Sequence, residues 1–230
     1  MDSITLKSYA KVNIGLHVQD KRKDGYHNIY TIFQELDFYD TVTFFKADDG
    51  CELSSNDETF PTGASNTCAK AHENVKTQCP DVAGIKVHVE KEIPQGSGLG
   101  GGSSNGASTL KGVNELYDLG LSNNELEELA LQVGADVPFF IHGGMQLGEG
   151  IGEQLTPLDI ELPYSILVIM PGVTINTKWA YSQLRKKLET EDIAPNFAGL
   201  IERSEIPFQF FENDFEKIVF STYPEIGLIK

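Results

Sequence analysis

The stretch Pro94-Gln95-Gly96-Ser97-Gly98-Leu99-Gly100-Gly101-Gly102-Ser103-Ser104 carries five glycines in eleven residues, and its flanks decide how it reads. Just before it, Ile85, Val87 and Val89 alternate with polar neighbours, the period-two pattern of a strand. Just after it, Ala107, Leu110, Val113 and Leu116 recur every three residues, the mark of an amphipathic helix. Strand, glycine-rich turn and helix in that order point unpaired backbone N–H groups and a positive helix end at an anion. Glycine suits the turn because a phosphate oxygen can approach the backbone closely where no Cβ intervenes, and because nests of N–H groups need positive φ. The loop lacks the Gly-Lys-Ser/Thr ending of a Walker A motif and no acidic residue follows convincingly at dinucleotide-binding spacing, so it is a phosphate loop of another kind.

Upstream, Ala10, Val12, Ile14, Leu16 and Val18 alternate with Lys11, Asn13, Gly15 and His17, which predicts a half-buried strand with Lys11 and Asn13 on its polar face. Asp24-Gly25 is a turn signal, and the β-branched and aromatic residues of 29–33 and 41–45 predict two flanking strands. The polar segment 48–63 predicts a surface loop ahead of a helix over 66–75. Ser122-Asn123-Asn124-Glu125 is a capping box opening a helix with Leu126, Leu129, Ala130 and Val133 on its apolar face and Gly134 at its end. Farther on, 166–170 predicts a strand closed by Pro171-Gly172, and 178–188 a helix with Tyr181, Leu184 and Leu188 on one face. A soft boundary near Leu155 divides the chain into residues 1–155 and 156–230.

Composition excludes several classes. With 230 residues, 40% of them hydrophobic, the chain can bury a substantial core. A formal net charge of −16 opposes attraction to a nucleic-acid backbone, which draws on clustered Lys and Arg, yet it permits local phosphate binding at a helix end. Cys51, Cys68 and Cys79 lack metal-type spacing and are odd in number, predicting free thiols in a reducing cytosol. The N-terminus has no signal pattern and no run reaches the roughly 18 apolar residues of a membrane span, so a cytoplasmic protein with no membrane partner is expected.

Two charged residues stand out for chemistry. Asp136 follows a helix end and precedes Val137-Pro138-Phe139-Phe140, where an apolar flank would desolvate it enough to act as a general base for a hydroxyl. Lys11 is a candidate cation to hold it ionised and steer the alkoxide. At about 4 Å and an effective dielectric near 20, such a pair attracts by about 4 kcal/mol, enough to set its ionisation state at neutral pH. Taken singly, each also suits an ordinary role, Asp136 as a turn residue and Lys11 as a solvated lysine. Tyr26-His27, directly after the turn, offers an aromatic plate beside a hydrogen-bonding ring, suited to a heterocyclic base or to a plain hairpin corner.

Taken together, Tyr9-Ala10-Lys11-Val12-Asn13-Ile14-Gly15-Leu16, Asp24-Gly25-Tyr26-His27, Ile93-Pro94 through Asn105, and Gly134-Ala135-Asp136-Val137-Pro138-Phe139-Phe140 resemble the kinase superfamily named for galactokinase, homoserine kinase, mevalonate kinase and phosphomevalonate kinase. The likeness is strongest to its members that act on a cytidine-diphosphate-linked methylerythritol. That resemblance implies a two-domain α+β architecture with the active site in an interdomain cleft, the first domain holding nucleotide and substrate. It implies phosphoryl transfer from ATP, with Mg2+, to the tertiary 2-hydroxyl of that small molecule, on the non-mevalonate route to isoprenoid precursors. Carried over, the base falls on Asp136, its lysine on Lys11, and substrate contacts on Asn13, Tyr26 and His27; Tyr181, on the later helix face, is a further substrate-contact candidate from the residues themselves. ATP falls on Asn66, Lys91, Pro94, Gly96, Ser97, Gly98, Leu99, Gly100, Gly101, Gly102, Ser103 and Ser104, and no metal ligand is assigned. The superfamily's late G-x-x-x-[ST]-G-[ST]-G motif has no counterpart before Lys230, which implies a shortened second domain. Two alternatives stay open: a kinase for another small alcohol, and a weakly active nucleotide-binding protein.

Overall fold

The structure, a computed structural model, describes residues 3–163, 165–173, 175–184, 197–200 and 205–229. Its residues gather into two compact units, Met1–Val12 with Glu35–Gly144, and Asn13–Gln34 with Met145–Lys230. A single cut near Leu155 therefore differs from the observed division. The reason is strand length: β1 (Ser3–Lys21) and β2 (His27–Ala47) each run from one unit into the other. The two short strands predicted over 29–33 and 41–45 are one, because the residues between them include no glycine or proline to break the run.

In the first unit, β4 (Gly84–Glu90) lies between two partners. The later half of β2 pairs with it antiparallel, Phe44 opposite Val87, and β3 (Cys51–Ser55) pairs with it parallel, Leu53 also opposite Val87. β3 is a correction to the predicted loop; its mixed, largely polar sequence hides a strand that buries only Leu53. Four helices complete the unit: α1 (Thr67–Gln78), α2 (Gly101–Leu116), α3 (Asn123–Val133) and the single turn α4 (Phe139–His142). The capping box forms as the sequence predicts, with Glu125 N donating to Ser122 Oγ at 3.4 Å and Ser122 N donating back to Glu125 Oε2 at 2.8 Å.

α2 is more deeply buried than an amphipathic helix, since seven consecutive residues, Ser104 to Leu110, are inside. Small residues make this possible, and the closest approach falls at Gly112, where a Cβ would meet the Phe44 ring at 2.6 Å. Phe44 is itself fully buried on β2, so the ring has nowhere to retreat.

In the second unit, β1 and β2 form a hairpin through Asp24-Gly25, with Arg22 N donating to Tyr26 O at 2.7 Å. Residues Thr31 to Gln34 of β2 pair antiparallel with β5 (Met145–Glu149), which pairs in turn with β6 (Gln154–Pro157). On β1, Leu16 N donates to Glu212 O and Asp214 N donates to Leu16 O, both at 2.9 Å. Leu16, Val18, Ile29 and Leu184 form a core against which Tyr181, Phe215 and Ile218 pack. β1 is thus covered on both faces from Ile14 to Val18, where alternation alone predicts one.

Tyr181 lies on α5 (Thr177–Gln183), as expected, while Leu188 falls outside the described residues. The strand predicted over 166–170 is not one. Among the described residues it joins no ladder, and Leu167 is 84% exposed, because an apolar run without a pairing partner cannot satisfy a strand's backbone. Two short helices, α6 (Glu216–Thr222) and α7 (Pro224–Gly227), follow.

Two expectations follow for the first unit. Gly112→Ala gains about 1 kcal/mol of helix propensity but overpacks the Phe44 contact at a cost of about 1–3 kcal/mol, so a thermal melt should show a Tm lower by a few degrees. Burial holds the Cys51 thiol up at about 12 and the Cys68 thiol at about 11, so neither forms thiolate near neutral pH. A thiol reagent at pH 8 should label the half-buried Cys79 first in the native chain, which peptide mapping would show.

Candidate active site

The glycine-rich loop leaves β4 at Glu90 and enters α2 at Gly101. Gly96, Gly98 and Gly100 take φ values of 70°, 78° and 74°, the left-handed backbone that only glycine adopts without strain. No side chain caps α2, whose N-cap is Gly100, so the helix start presents main-chain N–H groups without a built-in acceptor side chain. A Cβ at Gly98 or Gly102 would meet nothing within 4 Å, which leaves those positions open to an incoming group. Gly100 is the opposite case: a Cβ there would stand 2.7 Å from Phe140 Cζ and 3.1 Å from Lys11 Cγ.

That crowding shows what the fold brings together. Lys11 N donates to Leu99 O at 2.9 Å, tying β1 to the loop, and Leu99 buries its side chain beneath it. Pro94, Gly96, Ser97, Gly98 and Gly102 are exposed; Ser103 is half-buried. Ser104 is inside, where its Oγ accepts from Ser8 Oγ at 2.9 Å. Gln95 reaches away to Asp57 and Thr59, at 3.1 and 3.0 Å, and so anchors the outer side of the loop.

Lys11 is 6% exposed, not the solvated lysine of an outer strand face. Burial pushes its ammonium below the usual lysine range, and the Asp136 carboxylate pulls it back up. Asp136 is half-buried in the turn between α3 and α4, a turn closed by Val137 N donating to Gly134 O at 3.1 Å and Phe140 N donating to Val137 O at 3.1 Å. Lys11 and Asp136, far apart in sequence, are electrostatic partners in one unit. A carboxylate with solvent access beside a buried cation and a phosphate-type loop is the chemistry of hydroxyl activation.

The second unit assembles the other predicted residues. His27 is buried, and its ring stacks on Tyr181 with centroids 5.4 Å apart and an 18° interplanar angle. Phe215 meets the Tyr181 ring edge-on at 4.9 Å, fixing the stack from behind. Tyr26, next to His27 in the chain, is by contrast 60% exposed. Asn13 Nδ2 donates to Thr31 Oγ1 at 2.8 Å, and Thr31 donates to Gly15 O at 2.7 Å, which fixes the orientation of the amide. Thr31 was not legible from sequence, being one of many β-branched strand residues.

Asn66 and Lys91, assigned to ATP by the resemblance, are engaged within the fold. Asn66 caps α1 by accepting from Cys68 N at 2.8 Å and donates to Pro61 O at 2.5 Å. The Lys91 side chain, 6% exposed, pairs with the fully buried Asp40. No sequence signal separated Asp40 from Asp37 in the same strand. Among the described residues, no group of three or more His, Cys, Asp or Glu side chains is placed to hold a metal ion.

Residues 66–144 match the family model for the GHMP kinases N terminal domain, the segment from the α1 cap to the end of the Asp136 turn and α4. The chain is 39% identical to a 4-diphosphocytidyl-2-C-methyl-D-erythritol kinase of Chloroherpeton thalassium, covering 99% of this chain and 81% of that protein. It is 38% identical to the protein of that name from Prosthecochloris aestuarii, over 98% and 80% of the two chains. A crystal structure of 4-(cytidine 5'-diphospho)-2C-methyl-D-erythritol kinase superposes with a TM-score of 0.77 at 30% identity, over 98% of this chain and 81% of that one. The mevalonate kinase of Methanococcus jannaschii, at 18% identity and a TM-score of 0.53 over 68% of this chain, shares the fold. On this identity and coverage, the chain belongs to the 4-diphosphocytidyl-2-C-methyl-D-erythritol kinase family of GHMP kinases.

Proposed function

We propose that the chain transfers the γ-phosphoryl group of ATP to the 2-hydroxyl of 4-diphosphocytidyl-2-C-methyl-D-erythritol. One observation carries the reading: Lys11 is tied by its own backbone to the glycine loop while its buried ammonium feels the Asp136 carboxylate. Asp136 accepts the hydroxyl proton, the freed oxygen forms a bond to the γ-phosphorus, and the bond to the ADP oxygen breaks. Lys11 stabilises the oxygen as its charge develops, and the N–H groups of the loop and of the start of α2 hold the phosphates. Positioning and electrostatics supply most of the rate in such transfers. Mg2+ bound with ATP would supply charge neutralisation at the phosphates, and no residue of this chain is assigned to hold it.

The cytidine end is assigned to the second unit. The His27 ring, stiffened against Tyr181, reads the base edge by hydrogen bonds, and the exposed Tyr26 covers the base face. Asn13, oriented by Thr31, contacts the polyol.

The test is ADP release by the purified chain with ATP, Mg2+ and the cytidyl substrate, with cytidine diphosphate as competitor. Asp136→Asn should lower kcat by about 100-fold or more, with KM changed far less. Turnover undiminished in that variant, or indifferent to cytidine diphosphate, would count against the base or the substrate respectively. A second expectation concerns pH. Because burial lowers the Lys11 pKa from 10.5, its positive charge is lost as pH rises through a value below the ordinary lysine range, and activity should fall there. In Lys11→Arg, whatever activity survives should keep a flat alkaline limb, since guanidinium does not titrate there.

A further inference from the structure

We infer that Asp40 is a positioning residue for ATP, holding the entrance of the glycine-rich loop and the Lys91 ammonium in place beneath it. The inference rests on the assignment of ATP to that loop. Asp40 lies on β2, fully buried, and both of its carboxylate oxygens are used twice. Oδ1 accepts from Glu92 N at 2.9 Å and from Ile93 N at 2.8 Å, the two residues directly before Pro94. Oδ2 accepts from Asn105 Nδ2 at 2.9 Å and from the Lys91 ammonium.

The network extends without leaving the first unit. Asn105 Nδ2 also donates to Ser8 Oγ at 2.9 Å, and Ser8 donates to Ser104 Oγ at 2.9 Å. Ser8, Asp40, Ser104 and Asn105 are each no more than 1% exposed. One carboxylate thereby joins β1, β2, the start of the loop and the first turns of α2.

Charge placement indicates that this is more than a strand anchor. A methyl at Gly101, the first residue of α2, would stand 3.2 Å from Lys91 Nζ. An ammonium beside a helix N-terminus faces the positive end of the dipole and is repelled by it. Asp40 supplies the negative charge that keeps this cation buried there, within reach of a phosphate arriving at the same helix end. Its two main-chain bonds fix the direction in which residues 92–93 deliver the loop. The loop's glycines have no side chain to do this, and Gln95 anchors only its outer side.

Asp40→Asn isolates the role. The asparagine oxygen can still accept from Glu92 and Ile93, but its NH2 then faces Lys91 Nζ and Asn105 Nδ2, donor against donor. Binding of ATP with Mg2+, and separately of cytidine diphosphate, is measured by calorimetry on the full chain and on three variants: Asp40→Asn, Asn105→Ala and Val42→Ala. Val42→Ala cuts the core two residues along the same strand and serves as a control for lost stability. Asp40→Asn should weaken ATP about tenfold and Asn105→Ala about threefold, each with cytidine diphosphate affinity within about twofold. Val42→Ala should leave ATP affinity within about twofold at a comparable fall in Tm.

Unchanged ATP affinity in either folded network variant overturns the inference, and Asn105→Ala decides the matter if Asp40→Asn does not fold. A loss of ATP affinity in Val42→Ala equal to that in Asp40→Asn overturns it too, by reducing the effect to stability. Failure of the unaltered chain to bind ATP removes the loop assignment and the inference together, whereas failure to bind cytidine diphosphate removes only the substrate assignment.

Discussion

Gly100 stands where three pieces of the first unit leave no space: the Phe140 ring on one side, the Lys11 stem on another, and the start of α2 behind. Its left-handed backbone turns the chain from loop into helix, and its missing side chain lets the loop lie against β1 closely enough for Lys11 N to reach Leu99 O. Much of the site's geometry depends on that contact. It sets the lysine stem against the loop and brings the apolar residues after Asp136 up to its far side.

The electrostatics follow a similar economy. A chain of net charge −16 buries two lysines close to its phosphate-type loop and treats them differently. Lys91 is paired with a carboxylate that has no solvent access and shares it with main-chain and amide donors, so its charge is compensated within the fold. Lys11 is opposed by the half-buried Asp136, and burial outweighs that opposition. A cation compensated inside the fold is suited to organising the loop. One that remains under strain from desolvation is suited to meeting charge that develops during a reaction. Global acidity is no obstacle, because these effects act within a few ångströms and bulk charge is screened beyond about 8 Å.

The second unit uses packing where the first uses charge. His27 keeps its ring orientation through a stack on Tyr181 that Phe215 supports edge-on, and Asn13 keeps its amide orientation through Thr31. The aromatic supports come from far along the chain: Tyr181 and Phe215 lie more than 150 residues beyond His27. A ring held on one face by another ring loses little entropy when a ligand meets its edge.

Sequence alone determined the local elements whose signals are local. The glycine positions of 96–102, the capping box at Ser122 and the alternation of β4 were legible because φ sterics, N-cap hydrogen bonds and strand pleat each act within a few residues. The linear motifs also carried the pairing of Lys11 with Asp136, though only as candidates. What tertiary structure decided was everything set by contacts across the chain: the burial of Lys11, the exposure of Tyr26 beside a buried His27, the stack with Tyr181 and the four bonds to Asp40. It also overruled local pattern where pairing was the deciding term. Polar β3 became a strand because β4 offered it an edge, and apolar 166–170 did not become one because, among the described residues, nothing pairs with it. A strand's backbone hydrogen bonds lie on its neighbour, so no reading of the strand by itself can supply them.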